Sequence, residues 1–198
     1  MSISWKGVMP AVTTKFTNKD ELDLEMFSVN IKAQLDAGVI GIILGGTLGE
    51  ASTLTYDEKK VLMKETVKLV KGEVPVIINI AEQTTKGAIH AAEVAEDCGA
   101  TGLMMLPPMR YKANDYETVT YFKETAKSTS LPIMIYNNPI DYGIMVTLDM
   151  FDELMVCDNI QAVKESTRDI SNITRIKSRF GNRLKVLTGV DTLGLESV

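Results

Sequence analysis

Seven short apolar runs, spaced as a repeat, constrain this chain more than anything else in it. They are Val8–Thr13, Gly41–Leu44, Val76–Ile80, Gly102–Leu106, Ile133–Tyr136, Ile160–Val163 and Leu184–Leu187. Their starts lie 33, 35, 26, 31, 27 and 24 residues apart. Each is rich in β-branched residues and apolar on both faces, the pattern of a strand buried on both sides. Each gap holds one stretch of helical period. Phe27, Ile31 and Leu35 fall on one face, and Gly38 follows as a stop. Thr55 with Glu58, and Asn114 with Glu117, make helix-start boxes, and Thr147 precedes Leu148, Phe151 and Leu154. Ile170, Ile173, Ile176 and Phe180 share a face that Gly181 ends. The junctions Gly38-Val39-Ile40-Gly41 and Gly99-Ala100-Thr101-Gly102 rhyme, which is weak self-similarity at a βα period.

Strand and helix in alternation make a parallel sheet, either doubly wound or closed as a (β/α)8 barrel. No glycine-rich nucleotide fingerprint follows the early strands, which weakens the doubly wound alternative. Polar residues end nearly every run: Thr13 and Thr14, Thr47, Glu82, Tyr136, Lys164 and Thr188. A barrel gathers its chemistry at that end. The expectation is an α/β TIM barrel, incomplete, with seven of eight strands and no C-terminal helical region. Thr192–Val198 reads as the start of a further helix. Residues 1–198 are expected to form one truncated barrel domain.

Composition excludes several classes. The net charge is −5, with 45% hydrophobic and 24% charged residues, an ordinary globular balance without the clustered basic residues of a nucleic-acid surface. The longest apolar runs, such as Gly38–Gly46, fall far short of the roughly 20 residues of a membrane span. No signal peptide is read in Met1–Pro10. Cys98 and Cys157 form no CxxC pair, so a reduced, cytoplasmic protein is the expectation. With those two cysteines and one histidine, His90, no metal site and no cofactor are expected. His90 itself reads as structural or solvent-facing.

Lys164 is the sharpest functional candidate. At the end of an apolar strand, burial disfavours its ammonium, and a neutral amine can attack a carbonyl to form an imine. The alternative is a lysine that is solvated or paired with Glu165. Tyr136 ends the preceding strand, where a phenol can move protons during imine chemistry. It can equally cap the core with its hydroxyl in water. The loop Gly45-Gly46-Thr47-Leu48-Gly49-Glu50 offers backbone N–H groups to an anion and a hydroxyl at Thr47, or simply a glycine-dependent turn. Gly189 and Asp191 can close the same mouth. Arg110 can grip a carboxylate or be an ordinary surface arginine.

Gly46-Thr47-x-Gly49-Glu50, Tyr136-Asn137-x-Pro139, Lys164-Glu165 and Gly189-x-Asp191 together resemble the dihydrodipicolinate synthase / N-acetylneuraminate lyase family. The resemblance runs from about Lys6 to Val198. It implies a barrel that is usually tetrameric, so a homo-oligomer, and an imine-forming lyase acting on pyruvate or another small 2-oxo acid. It makes Lys164 the imine lysine, Tyr136 the proton-transfer residue, and Thr47 a hydroxyl relaying protons with that tyrosine. Gly46, the Leu48 backbone and Gly189 would contact substrate, and Arg110 is kept as a substrate-binding candidate on its own position. Leu48 replaces the family's second hydroxyl residue. Arg110, with Tyr111 next to it, stands where the synthases carry a tyrosine donated to a neighbouring subunit. Asp141 occupies the stretch where the synthases hold an arginine for their aldehyde substrate's carboxylate. The Tyr-Asn-Asn-Pro-x-x-Tyr-Gly turn is more similar to members acting on hydroxyproline-derived pyrroline carboxylates, and sugar-acid aldolases stay open. A barrel fragment without catalysis is the alternative of another class.

Overall fold

The apolar runs pair where both neighbours can accept them. The structure, a computed structural model, describes residues 3–109 and 111–197. Six strands, β1 (Ile42–Leu44), β2 (Val76–Ile80), β3 (Gly102–Met105), β4 (Ile133–Asn137), β5 (Ile160–Glu165) and β6 (Lys185–Thr188), form one sheet in the order β1-β2-β3-β4-β5-β6. All five pairings are parallel. Adding each strand beside its predecessor winds the sheet around an axis, and the result is an open arc of a (β/α) barrel.

The crossovers are helical. They are α1 (Leu24–Asp36), α2 (Tyr56–Val70), α3 (Thr85–Asp97), α4 (Asp115–Lys127), the one-turn α5 (Pro139–Tyr142), α6 (Leu148–Leu154) and α7 (Ile170–Phe180). The starts read from sequence are real caps. Thr55 and Glu58 exchange side-chain and backbone bonds at the head of α2, Asn114 and Glu117 do so for α4, and Thr147 caps α6. Gly38 and Gly99, at the rhyming junctions, have φ of +80° and +83°, so each turns a helix into the next strand through a conformation other residues resist.

Two apolar clusters lie on the two sheet faces. Outward residues such as Ile42, Leu44, Ile78, Leu103, Ile135 and Val163 pack under the helices. Inward, Ile43, Ile77, Met104, Met134 and Ala162 join Ile3 and Trp5 from the N-terminal segment, which plugs the barrel's floor. Gly102 makes room for that plug, since a Cβ there would lie 2.5 Å from Ile3 Cδ1. Trp5 Nε1 donates to Gln161 Oε1 at 3.0 Å and pins the plug to β5.

The run Val8–Thr13 departs from expectation. It makes one isolated parallel bridge, Ala11 to Ile43, and its backbone bonds go to β1 and to Ile40 just before it. Ile43 N donates to Pro10 O at 2.9 Å and Val12 N to Ile43 O at 3.0 Å. The Pro10 carbonyl faces β1, and proline has no N–H to extend the ladder on that same side, so the run makes one bridge to β1 rather than a seventh strand. After β6 the chain makes a 3-10 turn at Asp191–Leu193 and further turns through residue 197, instead of the expected helix. Among the described residues no helix is long and apolar enough to cross a membrane.

Candidate active site

Parallel register decides which side chains meet at the open end of the arc. β4 and β5 align Tyr136 with Lys164, and Asn137 with Glu165. Side chains alternate along a strand, so the first pair shares the inner face with Met134 and Ala162 while the second points toward the helices. Lys164 Nζ sits 4.4 Å from the Tyr136 ring centroid. Burial holds the Lys164 ammonium below the ordinary lysine range, and the Asp191 carboxylate opposes that shift.

Glu165 does not neutralise the lysine. Its carboxylate is 3% exposed and accepts from Asn137 Nδ2 at 3.1 Å, Asn172 Nδ2 at 3.0 Å and Thr167 N at 2.8 Å. Asn137 also clasps Val146, accepting its N–H at 3.0 Å. These bonds tie the ends of β4, β5 and α7 together and leave Lys164 facing the cavity. That cavity measures about 730 Å³ and is bordered by Thr47, Met104, Tyr136, Lys164, Gly189 and Asp191 among others.

Gly189 follows β6, and its N–H donates to Glu165 O at 2.8 Å. A Cβ on it would overlap Ser166 Oγ and come within 2.8 Å of Lys164 Cε, so only glycine leaves the lysine its path. Opposite, β1 runs into a 3-10 turn at Thr47–Gly49 with Gly46 as its cap. Gly49 N and Glu50 N bond back within the turn, to Gly46 O at 2.9 Å and Thr47 O at 3.1 Å. The first N–H groups of such a turn, those of Thr47 and Leu48, have no partner inside it. The Leu48 side chain is 76% exposed and takes no part. A Cβ at Gly49 would lie 2.9 Å from Val12 O. Arg110 lies outside the described residues.

Thr47 has a different partner from the one expected. Its hydroxyl is hydrogen-bonded to the Tyr142 hydroxyl, not to that of Tyr136. Tyr142 stands edge-on to Tyr136, ring centroids 5.5 Å apart at 77°. Burial pushes the Tyr142 phenol above its ordinary value, against the bond from Thr47. Tyr142 and Asn138 are the site residues that strand-end reasoning missed. The available signal was the turn itself. Asn138 caps α5, Pro139 starts it, and Gly143 ends it at φ +72°, so one helical turn carries Tyr142 back over the mouth. Away from the site, His90 is a half-exposed side chain 3.7 Å from Glu93, and both cysteines are free and buried. No group of three His, Cys, Asp or Glu gathers to hold a metal among the described residues.

Known proteins share this fold. The model of the dihydrodipicolinate synthetase family matches residues 4–198. A 4-hydroxy-tetrahydrodipicolinate synthase of Exiguobacterium sibiricum is 33% identical over 187 residues, covering 94% of this chain and 64% of the relative. The crystal structure of dihydrodipicolinate synthase from Aquifex aeolicus superposes with a TM-score of 0.92 at 32% identity, covering 96% of this chain and 65% of that one. YagE of E. coli K12, a prophage protein of the dihydrodipicolinic acid synthase family solved in complex with pyruvate, gives 0.91 at 27% identity, with 96% and 65% covered. The chain thus spans about two thirds of the length of these relatives, 64% in the first.

Proposed function

Because this chain belongs to the dihydrodipicolinate synthetase family, we propose that it is an imine-forming lyase acting on a small 2-oxo acid such as pyruvate. The observation that carries the reading is the Lys164–Tyr136 pair, an amine whose charge is disfavoured by burial, 4.4 Å from the centre of a phenol ring on the next strand. The neutral Lys164 amine attacks the keto carbon, and the carbinolamine so formed loses water to give the imine. Tyr136 hands a proton to the departing hydroxyl and then manages the proton on the neighbouring carbon, where a C–C or C–N bond is made or broken. The N–H groups of Thr47 and Leu48 hold the carboxylate, and Gly46 and Gly189 keep the cavity clear. Thr47 joins the relay through Tyr142. Arg110, following β3, is proposed to grip a substrate carboxylate.

The second substrate meets an acidic rim. Asp141 is exposed and bonded to Asn138 where the resemblance places an arginine in the synthases. That favours a partner without a carboxylate at this point, such as a sugar-acid fragment or a pyrroline carboxylate bound the other way round. Residues 1–198 as one incomplete barrel domain, in a cytoplasmic homo-oligomer that is tetrameric as the family resemblance implies, complete the reading. The oligomer is supported by exposed apolar side chains on the loops that follow the strands, Leu48, Tyr111 and Ile140, which are 76%, 77% and 57% exposed.

The test is chemical trapping. Incubation with pyruvate and borohydride should add a stable mass to the peptide that holds Lys164, and Lys164→Ala should carry none. An adduct undiminished in Lys164→Ala, or none in the native chain, rejects the assignment.

A further inference from the structure

Asn138 has no part in the imine scheme, yet it touches that scheme's proton donor. It is 4% exposed. Its Oδ1 accepts from Asp141 N at 3.3 Å, and its Nδ2 donates to Asp141 Oδ2 at 2.7 Å and to the Tyr136 hydroxyl oxygen at 3.1 Å. The two ends of a carboxamide have the same shape, so chemistry must assign them. A carboxylate oxygen only accepts, and a backbone N–H only donates. The atom facing Asp141 Oδ2 is therefore the NH2 group, and the atom facing Asp141 N is the carbonyl. With the NH2 group fixed, its second hydrogen meets the Tyr136 oxygen, which must accept.

We infer that Asn138, locked in one orientation by Asp141, is a positioning residue that sets the direction of proton transfer by Tyr136. An amide N–H can steady the phenol oxygen but cannot take its proton. The Tyr136 hydrogen is thereby turned away from the Asn138 amide and left to the groups on the ring's other sides. When that proton has been given up, the same N–H holds the oxygen that remains, a stronger bond to a charged acceptor. Tyr142 stands at the ring's edge and Lys164 over its face, so the groups that the imine scheme uses meet Tyr136 from sides other than the Asn138 amide. The inference rests on the imine reading above and adds to it the residue that orients the donor.

Asn138→Ser isolates the effect. It keeps a helix-capping oxygen, sets no second carboxylate against Asp141, and is too short to reach the Tyr136 hydroxyl. In the full protein, exchange of pyruvate methyl hydrogens for deuterium in heavy water should slow by about tenfold or more, the low end of what a positioned proton-transfer group supplies. Pyruvate affinity, the final extent of borohydride trapping and the melting temperature should stay near the native values. Asp141→Ala, a change at an exposed side chain, releases the amide to turn over and should slow exchange less. Should Asn138→Ser lose the fold, Asp141→Ala still decides. Native exchange rates in the folded variants, with Tyr136→Phe slow, overturn the inference and leave the imine reading standing. Absence of both trapping and exchange in the native protein overturns the two together.

Discussion

A lysine amine attacks a carbonyl only while it is neutral, and two environments compete over the proton of Lys164. Burial disfavours the ammonium, and Asp191 favours it. Burial has the larger effect, so imine formation should rise with pH and level off at a midpoint below the ordinary lysine value of 10.5. Asp191→Asn removes the opposing charge, and the midpoint of the rate profile should move further down. A shift upward would contradict the geometry. The same imbalance enters stability with a definite sign. Between the lowered pKa and the unfolded value, the unfolded chain binds more protons, so this group's contribution to stability grows as pH rises through that window. Gly189→Ala is the steric counterpart. Its Cβ would strike Ser166 Oγ and crowd Lys164 Cε, so the trapped adduct should be lost even where circular dichroism reports an intact fold. The lysine and the tyrosine were legible because each ends an apolar run. Asn138 and Tyr142 were not, because their roles come from a one-turn helix whose direction local pattern does not set.

Helices and strands differ here in how locally they are specified. The helix starts are local, and the residues three apart that made two of them legible are the residues that cap them. Thr55→Ala should destabilise the protein by about 1 kcal/mol, the usual cost of a lost cap, read as a shift of the denaturation midpoint. The strand ends are not local. β4, β5 and α7 are held at the active-site rim by the buried Glu165 carboxylate and its three donors. Glu165→Ala leaves two buried amides and a backbone N–H short of acceptors. It should cost about 3 kcal/mol, from a desolvation penalty of 1–3 kcal/mol for each unsatisfied group with part of it recovered by water. Denaturant unfolding measures that loss, and a variant as stable as the native chain would show the network to be dispensable. Sequence pairs Glu165 with Lys164 as readily as with Asn137, since adjacency along the chain says nothing of which sheet face each side chain takes once paired.

At the scale of the molecule, the arc is held from inside as well as outside. The helices cover its outer face, while Ile3 and Trp5 cross beneath the strands and fill the inner one. Trp5 is 5% exposed, so Trp5→Ala should open a cavity in the floor and cost about 3–5 kcal/mol, again by denaturant unfolding. A loss below about 1 kcal/mol, the scale of a surface substitution, would mean that the floor is not packed as described. The period of the apolar runs determined a parallel α/β sheet and the strand that carries the lysine, the polar strand ends pointed to a barrel, and the capping residues marked the starts of α2, α4 and α6. Those properties depend on residues near one another in the chain, where spacing is geometry. Three things were decided only by tertiary structure: that Val8–Thr13 is an edge and not a strand, that Thr47 bonds Tyr142 and not Tyr136, and that Asp141 turns the Asn138 amide toward the phenol. Each depends on which groups from distant segments are left facing one another after the sheet curls, and on a proline, a hydroxyl or an amide having only certain hydrogens to give.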